Sequence, residues 1–329
     1  MNTLFKYYSS TLDLLQHLNE PSIKLATTTS LNDPFEKELS EDLALNLTNK
    51  LLERDVYKDK SRRKINEIKN DLIISYKNIS KNYGIVSLTE THRNLLMWSH
   101  YGSAHRGVCI GYQTDMFSAI EPIKYDVPMF DLNPQRVRYD SKRFDSDILY
   151  DGNRTIDILM QAIRTKSDEW MYEKEHRSII PLEYADKIVV YKHANSQLHS
   201  IMLQYENENR IIKDETNKNE NFDIYNINSN TNKINAGYLV SRVAHYDGVM
   251  ILKNISIKKI NSIYLGSKYE IKDTKPIIEY LKSDPERFEH IKLFKYEVNK
   301  NDFVLDLIPL NNKSPLDKEL ENRALIYHL

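Results

Sequence analysis

Apolar and polar positions recur along this chain on two periods, and the period changes often enough to predict mixed secondary structure. Leu4 to Tyr8 reads as a short strand, and Ser9-Ser10-Thr11 as the cap of a helix carrying Leu14, Leu15 and Leu18. A second short strand follows at Ile23 to Ala26. Leu39, Leu43, Leu47 and Leu51 recur every four residues and predict a helix; Ile65, Ile68, Leu72, Tyr76 and Ile79 predict another. The opposite face of that second helix holds Arg62, Arg63, Lys64 and Lys69, which reads as a solvated face ended by Gly84. Next come a strand at Ile85 to Leu88, a short helix capped by Asn94, a turn from Gly102 to Gly107 and a buried strand at Val108 to Tyr112. Residues 121 to 145 read as strand and loop, Ile156 to Trp170 as helix, His176 to Ile180 as strand and Ser196 to Glu208 as helix. Strands at Gly248 to Leu252, Ile260 to Leu265 and Ile291 to Tyr296 follow, with a helix at Thr274 to Ser283. Residues 207 to 235 are a polar Asn/Lys/Glu tract, expected as an insertion or mobile loop. The expectation is a single α+β domain over residues 1–329, with a mixed or antiparallel central sheet flanked by several helices.

Composition narrows the chemistry. The chain is 40% hydrophobic and 28% charged, ordinary for a globular protein. It has only 8 glycines in 329 residues and no G-x-G-x-x-G, which disfavours folds that cradle phosphate in glycine loops. Gly102 and Gly107 have P-loop spacing, but Val108 and Cys109 stand where Lys and Ser/Thr would be needed. The one cysteine, Cys109, lies in an apolar strand and reads as an inert core thiol, with no intramolecular disulfide available. Neither a signal peptide nor an apolar run of about 18 residues is visible, so a cytoplasmic protein without a membrane partner is expected. The net charge of −1 gives no general pull toward nucleic acid, although a local basic groove could still hold it.

Several familiar sites are missing. There is no H-E-x-x-H and no G-x-S-x-G, and His92, His100 and His105 lack regular ligand spacing, so no metal is expected. Three clusters remain, each dense in polar and aromatic residues beside a predicted strand. The first joins Lys6-Tyr7-Tyr8 with Asn32-Asp33-Pro34-Phe35-Glu36, where Asp33, Pro34 and Glu36 have the spacing of a helix start. The second runs from Trp98 to Gly107 and includes Tyr101, His105 and Arg106. The third runs from Trp170 to Arg177 and includes Glu173 and Glu175. Each has a plain structural alternative: a capping box for Asp33 and Glu36, core aromatics for Trp98 and Tyr101, and an ion pair of Arg177 with Glu175 or Glu36.

The ordered series K-Y, L-N-D-P-F-E, V-S-L-T-E, M-W-S-H-Y-G-x-x-H-R-G-V and W-x-x-E-x-E-H-R resembles a large bacterial family catalogued as domain of unknown function 2971. The resemblance covers roughly residues 4 to 185, and a weaker I-x-x-I-Y-L-G element at Ile260 to Gly266 extends it. A more distant resemblance is to ADP-ribosyltransferase-like domains. That resemblance implies an NAD-consuming enzyme, acting as a bacterial defence toxin or effector. Glu175 and Glu173, with Tyr101, would be catalytic. Lys6, Tyr7, Asn32, Trp98, His105, Arg106 and Arg177 would bind NAD, with Lys6 standing where the family has His or Arg. The physical logic is that cleavage of the nicotinamide–ribose bond passes through an oxocarbenium-like state, which a nearby carboxylate stabilises. The partners implied are a nucleotide-type small molecule, an acceptor nucleic acid or protein, and an antitoxin or other defence partner. Two other classes stay open: a metal-dependent nuclease built on Asp33, Glu36, Glu173 and Glu175 with a lysine, and a non-catalytic sensor or binding module in phage defence.

Overall fold

The computed structural model describes residues 2–37, 41–52, 62–120, 132–143, 160–217 and 219–310. Leu39, residues 121–131 and 144–145, and the start of the helix expected from Ile156 lie outside the described residues. In chain order the elements are β1 (Thr3–Tyr8), α1 (Leu14–Asn19), β2 (Ser22–Leu25), α2 (Glu41–Leu52), α3 (Arg62–Lys81), β3 (Tyr83–Thr89), α4 (Leu95–His100) and β4 (Val108–Gln113). They continue with β5 (Gln135–Arg136), β6 (Arg138–Asp140), β7 (Thr165–Ser167), β8 (Glu175–Pro181), β9 (Lys187–Tyr191), α5 (Ser196–Asn207), β10 (Ile211–Lys213) and β11 (Phe222–Ile227). The last are α6 (Lys233–Val243), β12 (Val249–Asn254), β13 (Ile260–Leu265), α7 (Ile271–Ser283), α8 (Pro285–Phe288), β14 (Lys292–Val298) and β15 (Leu305–Pro309). The class is α+β. The chain folds as two compact units, each assembled from separated stretches: residues 1–21, 88–116 and 255–329 in the first, 22–87 and 117–254 in the second.

In the first unit the strands run in the order β15-β14-β13-β4-β1, and Phe5 of β1 pairs with Thr89 of β3. All pairings are antiparallel except β13 with β14, whose parallel arrangement needs the crossover supplied by α7 and α8. One row of partners crosses four strands: Tyr8, Val108, Leu265 and Lys295. Leu4, Leu18, Ile110, Tyr112, Ile263 and Tyr296 fill the core. The cap of α1 is Asp13, which accepts from the Gln16 amide at 3.0 Å, not the Ser-Ser-Thr run the sequence suggested. Asn94 caps α4 as expected, taking the amides of Leu96 and Met97 at 2.8 and 3.2 Å.

In the second unit β10-β11-β9-β12-β2 form an antiparallel sheet. β8 lies between β3 and β5, and β6 pairs in parallel with β7. Two expectations change here. Gly84 lies inside β3, and not at a helix end: a Cβ there would stand 2.4 Å from Leu25 Cβ, so only glycine lets the two chains approach. The tract at 207–235 contains β10, β11 and the start of α6, because Ile211, Ile224 and Tyr225 are buried where those strands pair. Trp170 belongs to a 3-10 turn, Asp168–Glu173, and not to a helix reaching from residue 156. Among the described residues no helix is long and apolar enough to cross a membrane.

Candidate functional site

The third cluster of the sequence folds into a buried charge network in the second unit. Glu173 closes the 3-10 turn Asp168–Glu173, Lys174 takes a left-handed conformation (φ 46°), and Glu175 opens β8. The two glutamates are therefore not alternate positions of one strand; the reversal at Lys174 is what aims both at the same ammonium. Lys166 Nζ stands 2.6 Å from Glu173 Oε2 and 3.4 Å from Glu175 Oε2, and 4.5 Å from the centre of the Trp170 ring. Arg177 grips Glu175 with both faces of its fork, Nε to Oε1 at 2.8 Å and Nη2 to Oε2 at 3.0 Å. Its Nη1 donates to the Ile163 carbonyl at 2.6 Å, and Nη2 also pairs with Glu36. The Glu175 amide donates to Tyr139 Oη at 2.6 Å.

Burial and pairing compete in this network. Arg177, Glu175 and Glu173 are 1%, 3% and 4% exposed, so each charge has left water almost completely. Burial would raise the Glu175 carboxyl, but Arg177 and Lys166 reverse that and hold it down at about 2. Lys166 and Arg177 would be lowered by burial and are instead held up by the glutamates. Glu36 goes the other way: burial pushes its carboxyl above the ordinary range against the pull of Arg177 and Lys166. Glu36 pairs with one nitrogen of Arg177, whereas Glu175 takes two bonds from Arg177 and one from Lys166, so burial wins at Glu36 and pairing wins at Glu175.

Asn32 and Asp33 belong to the same unit. Asn32 is exposed. Asp33 Oδ1 accepts from the Phe35 amide at 2.9 Å, which realises half of the capping box over the 3-10 turn Pro34–Lys37. The other half fails because Glu36 reaches Arg177. Asp33 is 1% exposed, and its Oδ2 has no partner among the described residues. Capping alone does not account for a buried acceptor left open.

The remaining candidates belong to the first unit. Lys6 is half-buried, its Nζ 6.0 Å from the Tyr8 ring centre. Tyr7 is buried and donates to the Thr91 carbonyl at 3.2 Å. Trp98 is 0% exposed, its Nε1 bonded to the His92 carbonyl at 2.9 Å and its ring packed against Tyr7, His105 and Tyr296. Trp98 is thus a core aromatic, and Tyr101, half-buried at the end of α4, is the one of the pair with ring surface to offer. Beyond it Ser103, Ala104 and His105 are all left-handed, with φ 48°, 51° and 71°. For non-glycine residues each costs about 1–2 kcal/mol. The turn is held by its neighbours: Gly107 N bonds Gly102 O at 2.8 Å, and Lys268 N bonds His105 O at 2.9 Å. A Cβ on Gly266 would sit 2.1 Å from the His105 carbonyl oxygen. His105 stacks on Trp98 at 6.3 Å; burial first, then Lys268, lowers its ring below the usual histidine range. Arg106 is exposed.

Sequence reasoning missed Lys166, Tyr139, Lys268 and Lys295. Lys166 fell in a stretch read as helix, and a lone lysine between Thr165 and Ser167 carries no local signal. Among the described residues no group of three or more His, Cys, Asp or Glu is arranged to hold a metal ion. Lys166 and Arg177 stand among the carboxylates of the buried network in the positions a cation would need.

A family model described as protein of unknown function (DUF2971) matches residues 97–178. The match begins one residue before Trp98 and closes one residue after Arg177, so it holds the strained turn and the Glu173–Arg177 network, in agreement with the motif resemblance. Asn32 to Glu36 and Ile260 to Gly266 lie outside it. No curated protein and no solved structure matches the chain.

Proposed function

We propose that this chain is an ADP-ribosyltransferase-like enzyme that consumes NAD as its substrate, working as a bacterial defence toxin or effector. The observation that carries the reading is a glutamate at the head of a strand, Glu175, kept ionised inside the protein by Arg177 and Lys166. In the reaction the bond from ribose C1′ to the nicotinamide nitrogen breaks, and nicotinamide leaves with the electron pair. The ribose ring takes up positive charge, and a fixed ionised carboxylate lowers the energy of that state. An acceptor hydroxyl or amine then bonds to C1′, and its proton passes to a carboxylate or to water. Lys166 stands 3.4 Å from Glu175, farther than either Arg177 nitrogen, and is the partner a ribose hydroxyl would displace. The open Asp33 Oδ2 adds an acceptor in the same unit, three residues from Glu36.

Incubation with labelled NAD and with nucleic acid or protein acceptors should release nicotinamide. Glu175→Gln should abolish that release, and Glu173→Gln should reduce it. Unchanged release in a folded Glu175→Gln protein sinks the assignment.

One observation favours a second reading. Both Glu175 oxygens already accept charged hydrogen bonds, which suits a structural clamp in a binding module without turnover. Calorimetric heat on adding NAD, with no nicotinamide formed, would decide for that reading. The nuclease reading draws no support from the cluster, because its carboxylates are neutralised by Lys166 and Arg177.

A further inference from the structure

At one end of the first unit's sheet, backbone contacts bring the strained turn at 103–107 against residues 266–268, and the Lys295 ammonium reaches Ser267. Lys295 is 9% exposed, and its ammonium meets the carbonyls of Ser267 at 3.3 Å and Tyr296 at 3.5 Å; no described carboxylate pairs with it. A buried ammonium without a counter-charge is costly, and an anion beside it would relieve that cost. Ser267 precedes Lys268, an exposed lysine whose amide is bonded to the His105 carbonyl at 2.9 Å. Lys268 is close enough to His105 to disfavour its charged form. His105 in turn keeps a buried Nδ1 that has no hydrogen-bond partner among the described residues. Arg106, the next residue, is exposed and carries a planar fork suited to phosphate. The left-handed turn at Ser103 to His105 is the device that delivers His105 and Arg106 to this end of the sheet. Strain concentrated at such a turn, locked by Gly266, is what a ligand-holding loop shows.

We infer that His105, Arg106, Lys268 and Lys295 form a binding site for a phosphoryl anion of the pyrophosphate class. Lys268 and Arg106 supply surface charge that captures the anion; Lys295 supplies a buried charge that holds it, and His105 Nδ1–H a directed donor. The site uses two residues, Lys268 and Lys295, that no motif marks. It does not rest on NAD cleavage or on Glu175, and it stands or falls by binding alone.

The test is calorimetry of the full chain with inorganic pyrophosphate and, separately, with ADP, in chloride buffer. The wild-type protein should bind, and Lys268→Glu and Arg106→Glu, both surface changes, should each weaken binding at least tenfold without moving the melting temperature. Lys295→Met, which keeps an unbranched stem one atom shorter and removes the charge, should weaken it further. Tighter binding of ADP than of pyrophosphate would identify a nucleotide as the source of the anion; equal binding would identify the free anion. Absence of binding to both probes, or affinity unchanged in Lys268→Glu and Arg106→Glu, overturns the site. Because nicotinamide release is not measured here, the result is independent of the proposed reaction.

Discussion

Arg177 is 1% exposed and holds two carboxylates at once, Glu175 through two hydrogen bonds and Glu36 through a third. Arg177→Met would leave both acids buried without their principal partner. Such a loss costs about 3–5 kcal/mol, so the urea midpoint should fall sharply. Arg177→Lys should recover only part of it, since an ammonium cannot make the fork contact. Acid titration separates the two glutamates. The Glu175 carboxyl is held at about 2 against an ordinary 4.5, so its stabilisation is complete above pH 4.5 and fades as the pH falls toward 2. Glu36 is raised, so the opposite holds: its contribution is complete below pH 4.5 and is lost as the pH rises through its elevated value. Glu36→Gln copies the protonated form. Its stability should therefore gain on the wild type as the pH climbs from 4.5 toward neutrality, measured by urea unfolding at a series of pH values. A constant difference between the two proteins across that range would refute the upward shift of the Glu36 carboxyl.

At the scale of elements, the turn between α4 and β4 offers the cleanest substitutions. Ala104 has φ 51°, which glycine adopts freely. Ala104→Gly in an ordinary helix would cost about 1 kcal/mol; here relief of the left-handed strain should bring the change to within about 0.5 kcal/mol of zero. Gly266→Ala should do the reverse, because its Cβ would meet the backbone oxygen of His105 at 2.1 Å. Backbone cannot yield as a side-chain tip can, and unfolding measurements should show a loss of about 1–3 kcal/mol together with weakened pyrophosphate binding. These elements also mark where sequence reading works and where it stops. The four-residue leucine repeat, the Asn94 cap and the apolar run at Val108 are local signals, and α2, α4 and β4 follow them. Nothing local says that Ser103 and Ala104 are left-handed, since neither residue type favours it. Likewise β10 and β11 carry apolar residues of their own, Ile211, Ile212, Phe222, Ile224, Tyr225 and Ile227, but these are too few within the surrounding Asn/Lys/Glu tract to mark strands until β11 pairs with β9 and Ile224 and Tyr225 are buried. The Glu173–Glu175 pair was legible as chemistry, whereas Lys166, its partner, depended on a turn geometry that no spacing encodes.

For the molecule as a whole, the net charge of −1 conceals two very different collections of charge. In the second unit Lys166 and Arg177 are paired with Glu36, Glu173 and Glu175 away from water. In the first, Arg106 and Lys268 stand exposed beside the buried Lys295. Local periodicity could not reveal this division, because each unit is assembled from stretches far apart in the chain. Salt distinguishes the two collections. The Debye length shrinks from about 10 Å at 0.1 M to about 3 Å at 1 M, which screens exposed charges and leaves buried pairs almost untouched. Pyrophosphate affinity should therefore fall several-fold between low salt and about 0.5 M sodium chloride, as counterions compete for Arg106 and Lys268. The gap in melting temperature between wild type and Arg177→Met should stay constant over the same range, since it reports buried contacts. Calorimetry and thermal melts on one series of buffers measure both. If the melting gap closes with salt, the Arg177 network is open to solvent. If pyrophosphate affinity ignores salt, the exposed cations do not capture the anion, and Lys295 and His105 alone would have to account for its binding.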